Sequence, residues 1–439
     1  MLALHITKRL KNLALYGVVV FLLAISVVSD CFAQSKPTVS GLVTDSITGE
    51  PLPYATVAWM NSLSGTVTNN EGRFEIHRPE SEEGEYLLVT LLGYRKQVWT
   101  IEQLEKSLHV RLVPASIELA EVQVNPMPPT HYIRMAMRSL RNNYPDKPFG
   151  TRSYYREIIR ENGAFLRAHE GIFRSYVPNF QDTVRKQHQL MLFRKSSELS
   201  EMTFMKKERE KEAMKDQKKE AKTIRKGKTV EKKKDADSLG IGELFGGPEN
   251  LLRLSDLFRD PPGSLDTNGF RNYTYSFARY SSYNDATLMV IDFKSNGKVD
   301  NVREEGRIYL DIATNAIVRV ESRGTFVVPL WARPILLAFG YGIKSPVFRS
   351  SVSFRQAAGK WYPGTTIFFL SAQVERKRLF AENDLSRFEV DGLLTIGKID
   401  PDRPQPIDTK KLYSTRKRPE VQVFAEPGIT WEDVDIIKP

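Results

Sequence analysis

In the second half of the chain, apolar and polar side chains exchange places every second residue. Segments 273–280, 288–294, 306–311 and 316–322 all carry this pattern. A period of two belongs to a strand with one buried face. Asn296-Gly297 and Thr314-Asn315 stand between those segments, where residues tolerant of hairpin turns belong. Segments 352–356 and 359–363 then lead into 365–373 and 379–390. Strands joined by such short turns close into an antiparallel meander, so the larger part of the chain is expected to be built on one.

The stretch 39–112 has a different texture: shorter strands, at 39–45, 55–59, 66–68, 73–77, 86–91, 95–100 and 108–112, with turn residues between them. Asn69, Asn70 and Gly72 supply positions that accept positive φ, and short strands at this spacing suggest a β-sandwich. Pro51 and Pro53 stiffen the approach to the second strand, while Phe74 and Tyr94 are candidates to fill a small core.

The residues that carry these features are Gly41-Leu-Val-Thr-Asp45, Thr48-Gly-Glu-Pro-Leu-Pro53, Gly65-Thr-Val-Thr68, Gly72-Arg-Phe74 and Leu92-Gly-Tyr94. In order and spacing they resemble the carboxypeptidase regulatory-like domain. The resemblance implies a prealbumin-like sandwich used as an accessory module, as in envelope proteins of the Bacteroidetes type and ahead of TonB-dependent receptors. It implies no peptidase chemistry. His77-Arg-Pro-Glu80 spells part of a zinc signature, but the other histidines offer no third ligand, so no metal and no cofactor are expected.

Residues 1–33 have the three parts of a secretory signal: Lys8, Arg9 and Lys11, an apolar core at 13–28, and small residues before an expected cut after Ala33. A spanning helix needs about 20 apolar residues, more than this core provides. Cys31, the single cysteine, would leave with the signal, so the mature chain has no disulfide and no thiol. Asp30 stands where a lipoprotein signal carries a small residue, which argues against lipidation at Cys31.

The domain plan that follows is signal peptide 1–33, sandwich 38–113, linker 114–129 rich in proline, and a mainly antiparallel β domain 130–439. The fold class is α+β, mostly β: a prealbumin-like sandwich followed by a larger curved antiparallel sheet with a short helix. Thr130 can cap that helix, with Ile133, Met137, Leu140 and Tyr144 on one face. The formal charge of +11 is concentrated in 206–234, where 14 Lys or Arg face 6 Asp or Glu. That run, within a charged insertion at 206–237, has almost nothing to bury and reads as a surface segment.

Tyr155-Arg-Glu157, following Tyr144-Pro-Asp-Lys-Pro-Phe149, resembles an opening found in uncharacterised Bacteroidetes envelope proteins that share the accessory domain. Arg156 is expected to pair with a neighbouring carboxylate there. Gly306-Arg-Ile-Tyr-Leu-Asp311, Ala316-Ile-Val-Arg-Val-Glu321 and Trp361-Tyr362 resemble the curved sheets of outer-membrane lipoprotein carriers, which implies an apolar concave side. The most hydrophobic stretch of the mature chain, 326–341, contains Pro329, Arg333 and Pro334, which disfavour a spanning helix. It reads either as a buried crossing between strands or as an interfacial loop. In the second case Trp331, Leu336, Leu337 and Phe339 would enter lipid while Arg333 meets phosphate.

No nucleophile elbow, phosphate-cradling loop or helix histidine pair occurs. Glu304 and Glu305 are adjacent on a strand and should face opposite ways. The chain therefore reads as a non-enzymatic exported binding or assembly protein, periplasmic or associated with the outer membrane. Its partner would be an unknown envelope protein or lipid, through peripheral membrane contact, with no role for nucleic acid. The alternative is a periplasmic lipid or lipoprotein carrier. N-terminal sequencing of the protein recovered from its native envelope should begin at Gln34; a retained Met1 would contradict the export reading.

Overall fold

The computed structural model describes residues 38–60, 65–78, 86–104, 107–115, 127–179, 186–196, 251, 253–278, 280–284, 286–297, 302–327, 341–376, 384–402, 404–414, 417, 419–426, 429 and 431. The signal region, the insertion 206–237 and residues 328–340 lie outside that set.

Among the described residues the N-terminal module has seven strands: β1 (Thr38–Asp45), β2 (Thr56–Trp59), β3 (Gly65–Val67), β4 (Arg73–His77), β5 (Tyr86–Thr90), β6 (Gln97–Thr100) and β7 (Ser107–Leu112). They make two sheets, ordered β4-β1-β7 and β3-β2-β5-β6, with β1 and β7 parallel. Alternate residues turn inward, so Val43, Trp59, Ile76, Leu87, Val89, Val110 and Leu112 are buried between the sheets, with Phe74 beside them. Tyr94 packs only at the margin of that core, and its hydroxyl donates to Asp45 Oδ2 at 2.8 Å. Asp45 also accepts from the backbone N–H groups of Ile47 (2.7 Å) and Thr48 (3.0 Å), which fold the first turn and hold its carboxyl below the usual range. Gly72 has φ +73°, and a Cβ there would fall 2.4 Å from the Val43 carbonyl oxygen, so this turn requires glycine.

Helix α1 (Pro129–Asn143) begins two residues earlier than expected. Its N-cap is Pro128 with no side-chain cap, and Pro129 occupies the first turn, where its missing N–H costs nothing; Thr130 is therefore inside the helix. Ile133, Ala136 and Leu140 are its buried face, followed by buried Tyr144, whose hydroxyl donates to the Ile317 carbonyl.

The third and largest sheet contains β8 (Phe149–Glu161), β9 (Ala164–Val177), β10 (Gln187–Lys195), β11 (Tyr273–Phe277), β12 (Ser281–Tyr283), β13 (Ala286–Ser295), β14 (Val302–Asp311), β15 (Ile317–Phe326), β16 (Tyr341–Ala357), β17 (Lys360–Arg376) and β18 (Asp384–Asp400). The order is β10-β9-β8-β18-β17-β16-β15-β14-β13-β11, with β12 also on β13. The sheet is curved and open. Register shifts at Tyr309/Leu310, Val352/Phe354 and Ile396/Lys398 place bulges along it, and bulges bend strands. Gly306 permits close approach of β14 and β15: a Cβ there would lie 1.9 Å from the Glu321 carbonyl oxygen.

Each face of this sheet carries a packed layer over part of its area. One, the helix face, carries α1 together with Leu257, Leu265 and Phe270 over Ile291, Phe293, Ile308 and Phe354, while Leu251 lies against Gly392. The other, the sandwich face, receives Val67 and Tyr54 of the N-terminal module over Tyr154, Ile172 and Leu393. Arg355 is half-buried at that junction and donates to the Gly397 carbonyl at 3.0 Å, and desolvation draws its pKa down to about 10. A cavity of about 30 Å³ between Tyr54, Thr56 and Thr90 of the module and Arg319, Ser351 and Thr365 of the sheet has room for a water or two.

Other segments cap part of both borders of the sheet. Beside β10, Phe424 N donates to the Leu190 carbonyl (2.8 Å) and Gln189 Nε2 to the Phe424 carbonyl (2.7 Å); beside β12, Gly93 N donates to the Ser282 carbonyl (3.0 Å). Covering the edges in this way removes a template for pairing with another chain. Among the described residues no helix is long and apolar enough to cross a membrane, which says nothing of strands.

His188 on β10 is buried, with Nδ1 2.8 Å from Ser175 Oγ, and its pKa is drawn down to about 3 by desolvation and then by Lys186. The unfolded chain, titrating near the ordinary 6.5, binds this proton more readily than the folded one. Stability from this group is therefore complete above about pH 6.5 and falls as pH drops toward 3, by up to about 1.4 kcal/mol per pH unit. Urea midpoints of His188→Gln should fall less between pH 7 and 4 than those of the parent; parallel losses would contradict this.

Candidate functional site

Strand β8 sends successive side chains to opposite faces, and each meets its own charge cluster. On the helix face, Glu157 is 3% exposed and accepts from the Tyr155 hydroxyl at 2.9 Å and from Arg167 Nη1 at 3.2 Å. Tyr413 nearby is pushed up to about 12 by burial and then by the Glu157 charge. On the sandwich face, Glu170 accepts from the Tyr154 hydroxyl and from Arg194, whose guanidinium lies 4.5 Å from the Trp431 ring centroid. Burial and then Glu170 raise the Tyr154 hydroxyl. Arg156 stands directly across from Glu170 in register, yet the ion pair at Glu170 forms with Arg194. Arg156 instead lies under the sandwich, close enough for its charge to lower the Tyr54 pKa against the larger effect of burial. These clusters fasten strand to strand.

The sandwich covers only part of its face. Toward the opposite end of the strands, here the distal end, the same face continues as an exposed, charge-patterned surface. One row across it, read from the registers, runs Lys294, Glu305, Arg323, Arg349, Phe369, Asp391 and Ile158. Glu305 lies 2.8 Å from Arg323 Nη2 and 3.3 Å from Lys294 Nζ, and these contacts lower its pKa. Arg349 stacks on Phe369 at 4.7 Å, and Arg160, paired with Asp391 at 2.5 Å, stacks on Phe165 at 4.9 Å. Glu304 faces the other way and accepts from the Tyr273 hydroxyl at 2.7 Å, so the adjacent glutamates part as expected.

Trp331, Arg333, Leu336, Leu337 and Phe339 lie outside the described residues. The strands that they join can still be placed. Thr325 pairs with Val347, so β15 ends and β16 begins at the distal end. Lys195 pairs with His169 and Tyr273 with Ser295, so the chain also leaves β10 and enters β11 at that end. The apolar connection and the connection containing the charged insertion therefore depart from one end of one sheet. Sequence reasoning missed the exposed arginines, which sit on three strands; the available signal was arginine at solvent-facing alternate positions. Among the described residues no group of three His, Cys, Asp or Glu could hold a metal ion.

The two-sheet sandwich with its Asp45 turn and obligatory Gly72 covers the same stretch as a known family model. Residues 39–124 match the CarboxypepD_reg-like domain. The CarboxypepD_reg-like module is the part of the chain that docks on the sandwich face through Tyr54 and Val67. For the chain as a whole, no curated protein matches. Among solved structures, a DUF1329 family protein from Desulfovibrio piger ATCC 29098 is 9% identical with a TM-score of 0.23, covering 63% of this chain and 94% of that one. A Bacteroides fragilis NCTC 9343 protein of unknown function, to which membrane association is ascribed, is 11% identical with a TM-score of 0.15, covering 83% of this chain and 98% of that one. Scores at this level fall short of a shared fold.

Proposed function

We propose that the chain is an exported, non-enzymatic binding or assembly module of the bacterial envelope, and that it works through the distal part of its sandwich face. The observation that carries this reading is the contrast between a filled interior and a patterned exterior. The sheet is packed on one side by α1 and the segment around Leu257 to Phe270, and on the other by the CarboxypepD_reg-like module. Its distal sandwich face stays exposed, with charges held in defined rows. The secretory signal supports export, and the accessory module fits an envelope setting.

A carrier would need an open apolar lining. Even distal helix-face residues such as Ile159, Phe348, Leu370 and Val390 are 2–7% exposed, so support goes to binding at the surface.

A photo-crosslinking residue placed at exposed Thr325, compared with one at exposed Ile47 in the first turn of the module, tests this in cells producing the full chain. Envelope adducts specific to position 325 are expected. Identical adduct patterns at the two positions, or none at 325, would sink the proposal.

A further inference from the structure

We infer that Arg303, Arg323 and Arg349, with the apolar side chains at the adjoining strand ends, form a docking surface for the phosphate headgroups of an anionic lipid layer. The inference rests on the reading of the distal face as the working surface and names its partner. Arg323 and Arg349 are directly opposite on β15 and β16. Like charges so placed oppose each other unless an anion lies between or beside them. Arg303 follows on β14, across from Thr325. Lys294 is the fourth cation, and among the described residues Glu305 is the carboxylate that pairs within this group, with Arg323 and Lys294. Arg349 is held by the Phe369 ring. The patch thus has an excess of positive charge on a rigid ladder, and guanidinium groups suit phosphate oxygens.

The apolar neighbours decide between a lipid surface and a soluble anion. Val347, two residues from Arg349 on the same face, is 40% exposed, and Leu385 at the start of β18 is 54% exposed; Phe326 and Ile343 reach the same distal end from the helix face and are each 37% exposed. A small phosphate compound would leave these side chains in water. A lipid layer meeting the distal end would take up apolar side chains while the arginines remain at headgroup level.

The test is co-sedimentation of the mature full chain with phosphatidylglycerol–phosphatidylcholine vesicles, against phosphatidylcholine alone, at low salt. Each basic group near an anionic surface contributes about fivefold to partitioning, so R303Q/R323Q/R349Q should weaken binding on the order of a hundredfold. A variant losing the same charge elsewhere, R73Q/R141Q/R253Q, should bind as the parent does, with matching circular dichroism and thermal transitions for all three proteins. Val347→Ser, which keeps every charge, should weaken binding a few fold. Equal losses in both triple variants, undiminished binding of the first, or displacement of the parent by inorganic phosphate alone would overturn the lipid assignment. If the parent ignores anionic vesicles while Thr325 still crosslinks specifically in cells, the lipid assignment falls and the surface-binding reading stands.

Discussion

The pairing of β18 with β8 holds the larger sheet together. It runs from Phe388 opposite Glu161 to Asp400 opposite Gly150 and joins the last strand of the meander to the first strand of the early hairpins. Without it, β8-β9-β10 and β11 to β18 would be two smaller sheets, each with an additional open edge. With it, one continuous ladder spans both, and the segment between β10 and β11 must start and finish on opposite borders of the sheet. The described part of that segment, including Leu251, Leu257, Leu265 and Phe270, is buried on the helix face. The crossing thus supplies part of the covering layer that the sheet needs.

The CarboxypepD_reg-like module covers the other side. Its own core is complete, from Val43 to Leu112, yet Val67 and Tyr54 also extend onto the large sheet, and Gly93 bonds to the β12 edge. Packing on both faces explains why Leu288, Met289, Val290 and Ile291 of β13 are all buried, although a strand with one wet face would alternate. This geometry supports the proposed binding at the surface, since the apolar side of the curved sheet is already occupied.

Much of this was legible in the sequence where interactions are local. The hairpin between β14 and β15 lies at Thr314-Asn315, and Asn315 has φ 57°. The start of the helix was placed within two residues. The β16 strand was read too short: it begins at Tyr341, because Pro346, which argues against a central strand, falls in the register shift between Lys344 and Val347, where the ladder needs no bond from it. The β8–β18 closure left no periodic trace, because its partners are more than 200 residues apart. The arginines of the distal face were hidden for the same reason: positions 303, 323 and 349 become neighbours only through the register. Tyr155 and Glu157 stood out in the sequence, but the partner Arg167 and the neighbouring Glu170–Arg194 pair came only with the β8–β9–β10 ladder.

A packed interior that leaves binding to the surface is tested most directly by native mass spectrometry of the mature protein isolated from its own envelope without detergent. The expected mass is that of the polypeptide alone, with no acyl adduct after gentle desolvation. A stoichiometric lipid or lipopeptide that leaves only when the chain unfolds would contradict it, because such a molecule would have to occupy the helix face that α1 and its neighbours fill.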